Sequence, residues 1–372
     1  MQYSLPTLPG LVKEFGESVI KPNILKWEEE RHAPRSLFNS AAKYGLLGLE
    51  TPQQFGGLGA TFIDKLCLAR DLSHYSMAAA FSLINSQNIA SRLSRSNTAR
   101  HRFDFAPQLR SGVRVGCTAL TEPHAGSDFA AITTTARPTK DGWIINGDKA
   151  WITNAAHADT IMLYAQTDST KGWRGIASFL IDARAPGFKR GDIYSLMGGH
   201  TIGAGEFHLK DYFAADEDLL APPGEAFKIA MESINGARTY VAAMCTGMIQ
   251  DALSKAIAYG KVRQSFGKSL LDHQGFKWSL VDVAVQLESL TLLTTKAGQQ
   301  ITKGEDAVLA ASMAKKVAGE ITIPALTACI QAMGANGLKS ETLLGHHMAC
   351  AKIAAFTDGS TEMMNERIAA SF

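Results

Sequence analysis

The chain has 372 residues, 46% of them hydrophobic and 19% charged, which is enough apolar surface for a large core and for two or three domains. A formal net charge of +2 excludes the clustered basic face that nucleic acid requires. Five scattered cysteines without a Cys-x-x-Cys pair argue against a disulfide framework and a metal site of the zinc type, and fit a reducing cytoplasm.

The first residues, MQYSLPTLPGLVKEFGESVI, carry early prolines and Glu14 and lack the basic start and apolar run of a signal peptide. No stretch reaches the ~18 uninterrupted apolar residues of a membrane span, so no membrane insertion is expected. Residues 1–112 read as a helical domain. Ile63, Leu66, Cys67 and Arg70 are spaced as one helix face. The charge run Glu28–Arg35, EEERHAPR, reads as a solvated helix end, and QQFGGLGA (Gln53–Ala60) as a glycine loop between helices.

Residues 113–218 change character. The runs ITTTARP, KDGWIINGDKAWIT, TIMLYAQT and IASFLIDA are rich in Thr, Val and Ile, with turn signals at Lys140-Asp141-Gly142 and Asn146-Gly147-Asp148. They predict a central antiparallel β-domain, a small barrel or sandwich. Its loop ALTEPHAGSD (Ala119–Asp128) offers small hydroxyl and glycine residues to a flat ligand, or is an ordinary turn. Trp151 and Thr153, two apart on one strand, are expected to face the same side. Trp151 is then either a wall beside a ring system or plain core.

Residues 219–372 return to helix. Leu280, Val283, Ala284, Leu287 and Leu290 form one apolar stripe, and Trp278, Val281 and Val285 a second. A helix apolar on two sides is expected to be buried on two sides, in a bundle or at a subunit interface. FTDGSTEMM (Phe356–Met364) holds Asp358 and Glu362; by itself, Asp358-Gly359 is a turn pair. The order α, β, α gives an α+β, mostly α fold class.

Taken together, these motifs resemble those of the acyl-CoA dehydrogenase family of flavoproteins, over nearly the whole chain and in order. QQFGGLGA resembles its glycine loop, and TEPHAGSD and KAWITN its two flavin-contact segments. RQSFGK (Arg263–Lys268) with DHQ resembles its pyrophosphate segment, QAMGANG (Gln331–Gly337) its Gln-x-x-Gly-Gly-x-Gly segment, and FTDGSTE its Tyr-Glu-Gly-Thr segment. The resemblance implies an N-terminal helical domain, a central β-domain and a C-terminal four-helix bundle. It also implies FAD as cofactor and a homodimer or homotetramer in which a neighbouring subunit completes each flavin site.

Carried over by position, the resemblance assigns flavin contacts to Thr121, Trp151, Thr153 and Ser360. It gives Ser127 to flavin and the pantetheine arm, Arg238 with Asn235 to the substrate, and Arg263, Phe266, Gln331 and Gly334 to the rest of FAD. Arg263 suits a diphosphate because its fork makes paired hydrogen bonds. Asp358 stands at the family's catalytic Glu. Its carboxylate is one methylene shorter, roughly 1.5 Å further back. Ala237, at the alternative base position, has no acid group.

At Met197–Leu209 the chain has His200, Ile202 and Ala204 where common members have arginine, serine and threonine. His200 and His124 read as loop histidines or as catalytic ones. The implied reaction is α,β-dehydrogenation of an acyl-CoA to a trans-2-enoyl thioester. The alternatives are an acyl-carrier-protein-specific dehydrogenase of polyketide or other secondary metabolism, and a non-redox lyase or regulatory flavoprotein. The electron acceptor, an electron-transfer flavoprotein or oxygen, stays open.

Overall fold

The computed structural model describes residues 1–372. Six helices come first: α1 (Leu8–Phe15), α2 (Ile24–Glu29), α3 (Ser36–Lys43), α4 (Phe62–Ser73), α5 (Met77–Ser94) and α6 (Ala106–Arg110). A capping box starts α4: the Asp64 N–H donates to Thr61 Oγ1 at 3.2 Å, and the Thr61 N–H returns to Asp64 Oδ2 at 2.8 Å. Ser76 caps α5 through the Ala79 N–H. α5 is buried along almost its whole length, between the other helices and the sheet.

The middle of the chain forms one sheet from β1 (Gly116–Ala119), β2 (Thr135–Pro138), β3 (Gly142–Ile152), β4 (Thr160–Gln166), β5 (Ile176–Asp182), β6 (Phe188–Ile193), β7 (Gly205–Ala215) and β8 (Leu219–Ala221). The strand order is β6-β7-β3-β2-β4-β5-β8, with β1 on β4. The pairing is antiparallel except that β1 and β2 run parallel to β4. Lys140-Asp141-Gly142 makes the β2–β3 turn as expected, closed by the Thr139 N–H on the Gly142 carbonyl. Asn146-Gly147-Asp148 does not turn the chain: it lies inside β3, where the register to β7 shifts. The glycine there answers a close approach, since a Cβ at Gly147 would lie within 2.7 Å of three Thr134 atoms.

The last third holds α7 (Ala226–Val262), the short hairpin β9 (Gln264–Ser265) and β10 (Lys268–Ser269), then α8 (Gln274–Lys303), α9 (Val308–Met333), α10 (Leu344–Phe356) and α11 (Thr361–Ala369). One core of 54 buried side chains joins α1–α5 to α7–α10, so the two helical regions pack as one body around the sheet's edge. Gly247 makes this possible on α7: a Cβ there would lie 2.0 Å from the Arg70 carbonyl oxygen of α4. By length and composition α9 is apolar enough to cross a bilayer; here it packs against α7, α8, α10 and α11.

One expectation is met on one face only within the chain, and another is corrected. On α8 the first stripe is buried at Leu280, Val283 and Leu290, but Ala284 is exposed, and Trp278, Val281 and Val285 are 53–62% exposed. The second face finds no partner within one chain. The charge run at Glu28 is not simply solvated either. The Glu28 carboxylate accepts the Gly199 N–H at 2.8 Å and the His200 N–H at 3.0 Å, and meets His200 Nδ1 at 3.1 Å and His346 Nδ1 at 3.5 Å. One carboxylate thus ties α2 to the loop before β7 and to α10. His200 is thereby a structural histidine, and His124 sits half-exposed beside Glu122.

Candidate active site

A cleft of about 890 Å³ opens between the sheet, α5, α7 and the α10–α11 connection. The connection carries its most unusual residue. After α10 the backbone turns at Asp358 (φ +56°) and Gly359 (φ +105°), and Ser360 caps α11 through the Met363 N–H at 3.4 Å. Asp358 is therefore a turn residue and a cleft residue at once. As a whole it is half-buried, yet its carboxylate Oδ2 is enclosed and has no hydrogen-bond partner. Burial pushes its carboxyl up to about 6, with Lys315 and Arg238 pulling back only part of that. A buried carboxyl with an unspent oxygen at the end of a cleft has the properties of a general base.

Two cations hold this turn. Arg238, buried on α7, donates from Nε to the Asp358 carbonyl at 3.1 Å and from Nη1 to Asn235 Oδ1 at 2.9 Å. It is a wall of the cleft rather than a surface arginine. Burial, then Arg367, holds its guanidinium down to about 10. Lys315, fully buried on α9, donates to the carbonyls of Ala355 at 3.4 Å and Gly359 at 3.3 Å. Burial lowers its ammonium. Ala237 contributes only a methyl group to the cleft.

The opposite wall comes from the sheet. The loop after β1 is fixed by a buried ion pair: Lys149 Nζ on β3 donates to Glu122 Oε1 at 2.8 Å and to the Leu120 carbonyl at 3.0 Å. Glu122 also accepts the Thr133 and Thr134 N–H groups. Burial pushes the Glu122 carboxyl up, but Lys149 and those donors outweigh it and hold it at about 2. Lys149 is lowered to about 8 by its own burial. Thr121 and Ser127, on either side of this anchor, line the cleft.

Trp151 and Thr153 also line it, but not through strand alternation. Trp151 has φ +58° at a register shift, and β3 ends at Ile152. The irregular backbone turns the indole outward, 63% exposed, with one face on Tyr194 at 4.5 Å between centroids. A large aromatic left bare beside the unspent hydroxyls of Thr121 and Thr153 fits a planar ring system such as a flavin.

Seven of the expected residues therefore meet at one cleft: Thr121, Ser127, Trp151, Thr153, Arg238, Asp358 and Ser360. Asn235 acts through Arg238. Arg263, Phe266, Gln331 and Gly334 lie outside it. Phe266 tips the β9–β10 hairpin at 96% exposure, and Gln331 and Gly334 are exposed at the end of α9. Sequence reasoning missed Lys65 and Asn88 on the inner wall and Lys315 under the turn. For Asn88 the available signal was a polar stripe along α5 and its C-cap, at Asn85, Asn88, Arg92 and Arg95; Lys65 and Lys315 lie on other helices.

Three family models match the chain in order: the N-terminal domain of acyl-CoA dehydrogenase over residues 8–113, its middle domain over 117–212 and its C-terminal domain over 224–372. The chain is 30% identical over 354 residues to the short-chain specific acyl-CoA dehydrogenase of Clostridium acetobutylicum, covering 95% of this chain and 93% of the relative. It superposes on butyryl-CoA dehydrogenase from Megasphaera elsdenii with a TM-score of 0.93 at 29% identity, covering 100% and 99% of the two chains. A chain solved with the electron transferring flavoprotein of Acidaminococcus fermentans gives 0.93 at 30%, with the same coverage. The FAD complex of PigA gives 0.91 at 25%, again covering 100% and 99%.

Proposed function

The chain belongs to the acyl-CoA dehydrogenase family, and from that premise we propose that it is an FAD-dependent dehydrogenase of short acyl-CoA thioesters with Asp358 as the base. The observation that carries this reading is Asp358, with its enclosed and unpartnered Oδ2, in the wall of the cleft that also holds Trp151, Thr121 and Thr153. FAD, when bound, would supply the acceptor for the hydride at the carbon β to the thioester. Trp151, Thr121, Thr153 and Ser360 would hold its ring system.

The chain's own work is proton transfer and positioning. Asp358 takes the α-proton. Its backbone N–H makes no hydrogen bond to other backbone groups and is free to donate to the thioester oxygen as negative charge develops there. Arg238 and Lys315 fix the turn so that both groups of Asp358 are placed before substrate arrives. Ser127 borders the path of the pantetheine arm. The apolar residues of the cleft exclude water, which strengthens each of these interactions.

The bare face of α8 (Trp278, Val281, Val285 and Leu292) supports a homo-oligomer. Arg263, Phe266, Gln331 and Gly334 would then complete a neighbour's FAD site. An electron-transfer flavoprotein is the acceptor this reading favours, and five buried free cysteines fit a reducing cytoplasm. A second reading, a carrier-protein-bound substrate, draws on Ile202 and Ala204, which place apolar groups in the cleft where hydroxyls are usual.

The test is an anaerobic visible spectrum of the FAD-loaded protein with a panel of saturated acyl-CoAs. Bleaching of the flavin band that Asp358→Asn abolishes is the expected result. A flavin left oxidised by every thioester, on CoA or on a carrier, would sink the dehydrogenase.

A further inference from the structure

The inner wall of the cleft is not the hydrocarbon surface that a plain fatty tail needs. One face of α5 and its C-cap present Phe81, Asn85, Asn88, Arg92 and Arg95 at i, i+4, i+7, i+11 and i+14, and all five line the cleft. Lys65 faces them from α4, only 6% exposed. Its ammonium donates to Glu50 Oε2 at 2.6 Å and to Asn88 Oδ1 at 3.3 Å. It lies 4.7 Å from the Phe62 ring centroid and 5.7 Å from that of Tyr240. Tyr240, two residues past Arg238 on α7, lines the cleft together with Lys65 and Asp358.

The hydrogen-bond inventory of the wall leans toward donors. Glu50 Oε2 and the Asn88 carbonyl oxygen each accept from Lys65 and from Gln87 Nε2, the latter at 2.9 and 2.7 Å, while Glu50 Oε1 has no partner. Arg95 spends its guanidinium on the Glu50 and Ser91 carbonyls. What remains is mostly donors, the third Lys65 proton and the Arg92 guanidinium with the Asn88 amide beside the Tyr240 hydroxyl, against one acceptor, Glu50 Oε1. Holding an ion pair in a dry cleft is costly compared with packed hydrophobic residues, so its retention here asks for a use.

We infer that this wall is an end-pocket for an oxygen acceptor. The acyl group of the substrate carries a hydroxyl, carbonyl or carboxylate oxygen at its far end, received by Lys65 and Asn88. The inference rests on reading the cleft as an acyl-thioester site, and it narrows that site's substrate class.

The experiment uses the FAD-loaded protein and pairs of CoA thioesters of equal length, one ending in methyl and its mate in hydroxyl or carboxylate. Both the rate of anaerobic bleaching and the calorimetric Kd are read. In at least one pair the polar-ended member should bind or react roughly tenfold to a hundredfold better. Lys65→Met made together with Glu50→Gln, which leaves no lone charge behind, and Asn88→Leu separately, should each bring that ratio down toward one. The ratio within one protein cancels any general loss of folded enzyme. A wild-type ratio of one or less in every pair, or a ratio that survives both variants, overturns the end-pocket. Polar-ended thioesters that bind with the expected ratio while none bleaches the flavin would remove the dehydrogenase and keep the pocket. Methyl-ended thioesters that bleach equally well would do the reverse.

Discussion

The Lys315 ammonium, buried on α9, donates to the Gly359 carbonyl at 3.3 Å, one residue past Asp358. A cation that serves the backbone of the proposed base's turn bears on both its position and its charge state.

Lys315→Met should therefore have two separable effects. Two carbonyls lose their donor, which costs roughly 1–3 kcal/mol of stability by thermal or chemical unfolding. Loss of a positive charge near Asp358 should also raise the base's pKa and move the acid limb of kcat/KM to higher pH. A variant less stable but with an unmoved pH profile would reduce Lys315 to a structural role.

Asp358 is held up to about 6, so it is ionised, and competent as a base, only above that pH. The kcat/KM profile should fall tenfold per pH unit below about 6. A profile flat down to pH 5 would exclude Asp358 as the base. The same raised value bears on folding. The folded state binds this proton more tightly than the unfolded chain, so the protonated form is favoured at low pH, and stability is lost as pH rises from the ordinary carboxylate range through about 6. Asp358→Asn should accordingly unfold at a higher temperature than wild type at neutral pH while losing at least about a hundredfold in kcat. A destabilised variant would mean that the carboxylate is bound rather than strained.

Gly359→Ala forces a methyl group into a backbone at φ +105° and within 2.8 Å of Met364 Cε. The methionine end can move; the backbone cannot relax without shifting the turn. The expected cost is more than ~1 kcal/mol of stability, with kcat falling about a hundredfold if the carboxylate moves by roughly 1 Å. Unchanged kcat would show that the turn has slack.

The buried pair Lys149–Glu122 anchors the loop that bears Thr121 and Ser127. Lys149→Met alone leaves an uncompensated carboxylate and should cost roughly 3–5 kcal/mol. Adding Glu122→Gln should recover part of that. FAD affinity should follow the loop and weaken in both. A single variant as stable as wild type would mean that water reaches the pair.

Much of this protein was legible in its residues taken in order. Periodicities of 3.6 and 2 divided the chain into helix, sheet and helix, because burial of one face imposes those spacings on any chain. Through their resemblance to family segments, the short motifs TEPHAGSD, KAWITN and FTDGSTE named six residues that meet at one cleft, and NGARTYVAA a seventh, Arg238. Local pattern misled at Asn146-Gly147, where a glycine answers a neighbouring strand rather than a turn. It misled again at Trp151, whose exposure comes from a left-handed backbone and not from strand alternation. What only the tertiary structure decided were the long-range electrostatic relationships. Glu28 joins elements more than 300 residues apart. Lys315 lies beneath Asp358 and Lys65 beside Asn88. A buried charge is set by the partners that folding brings to it, and a linear spacing carries no record of them.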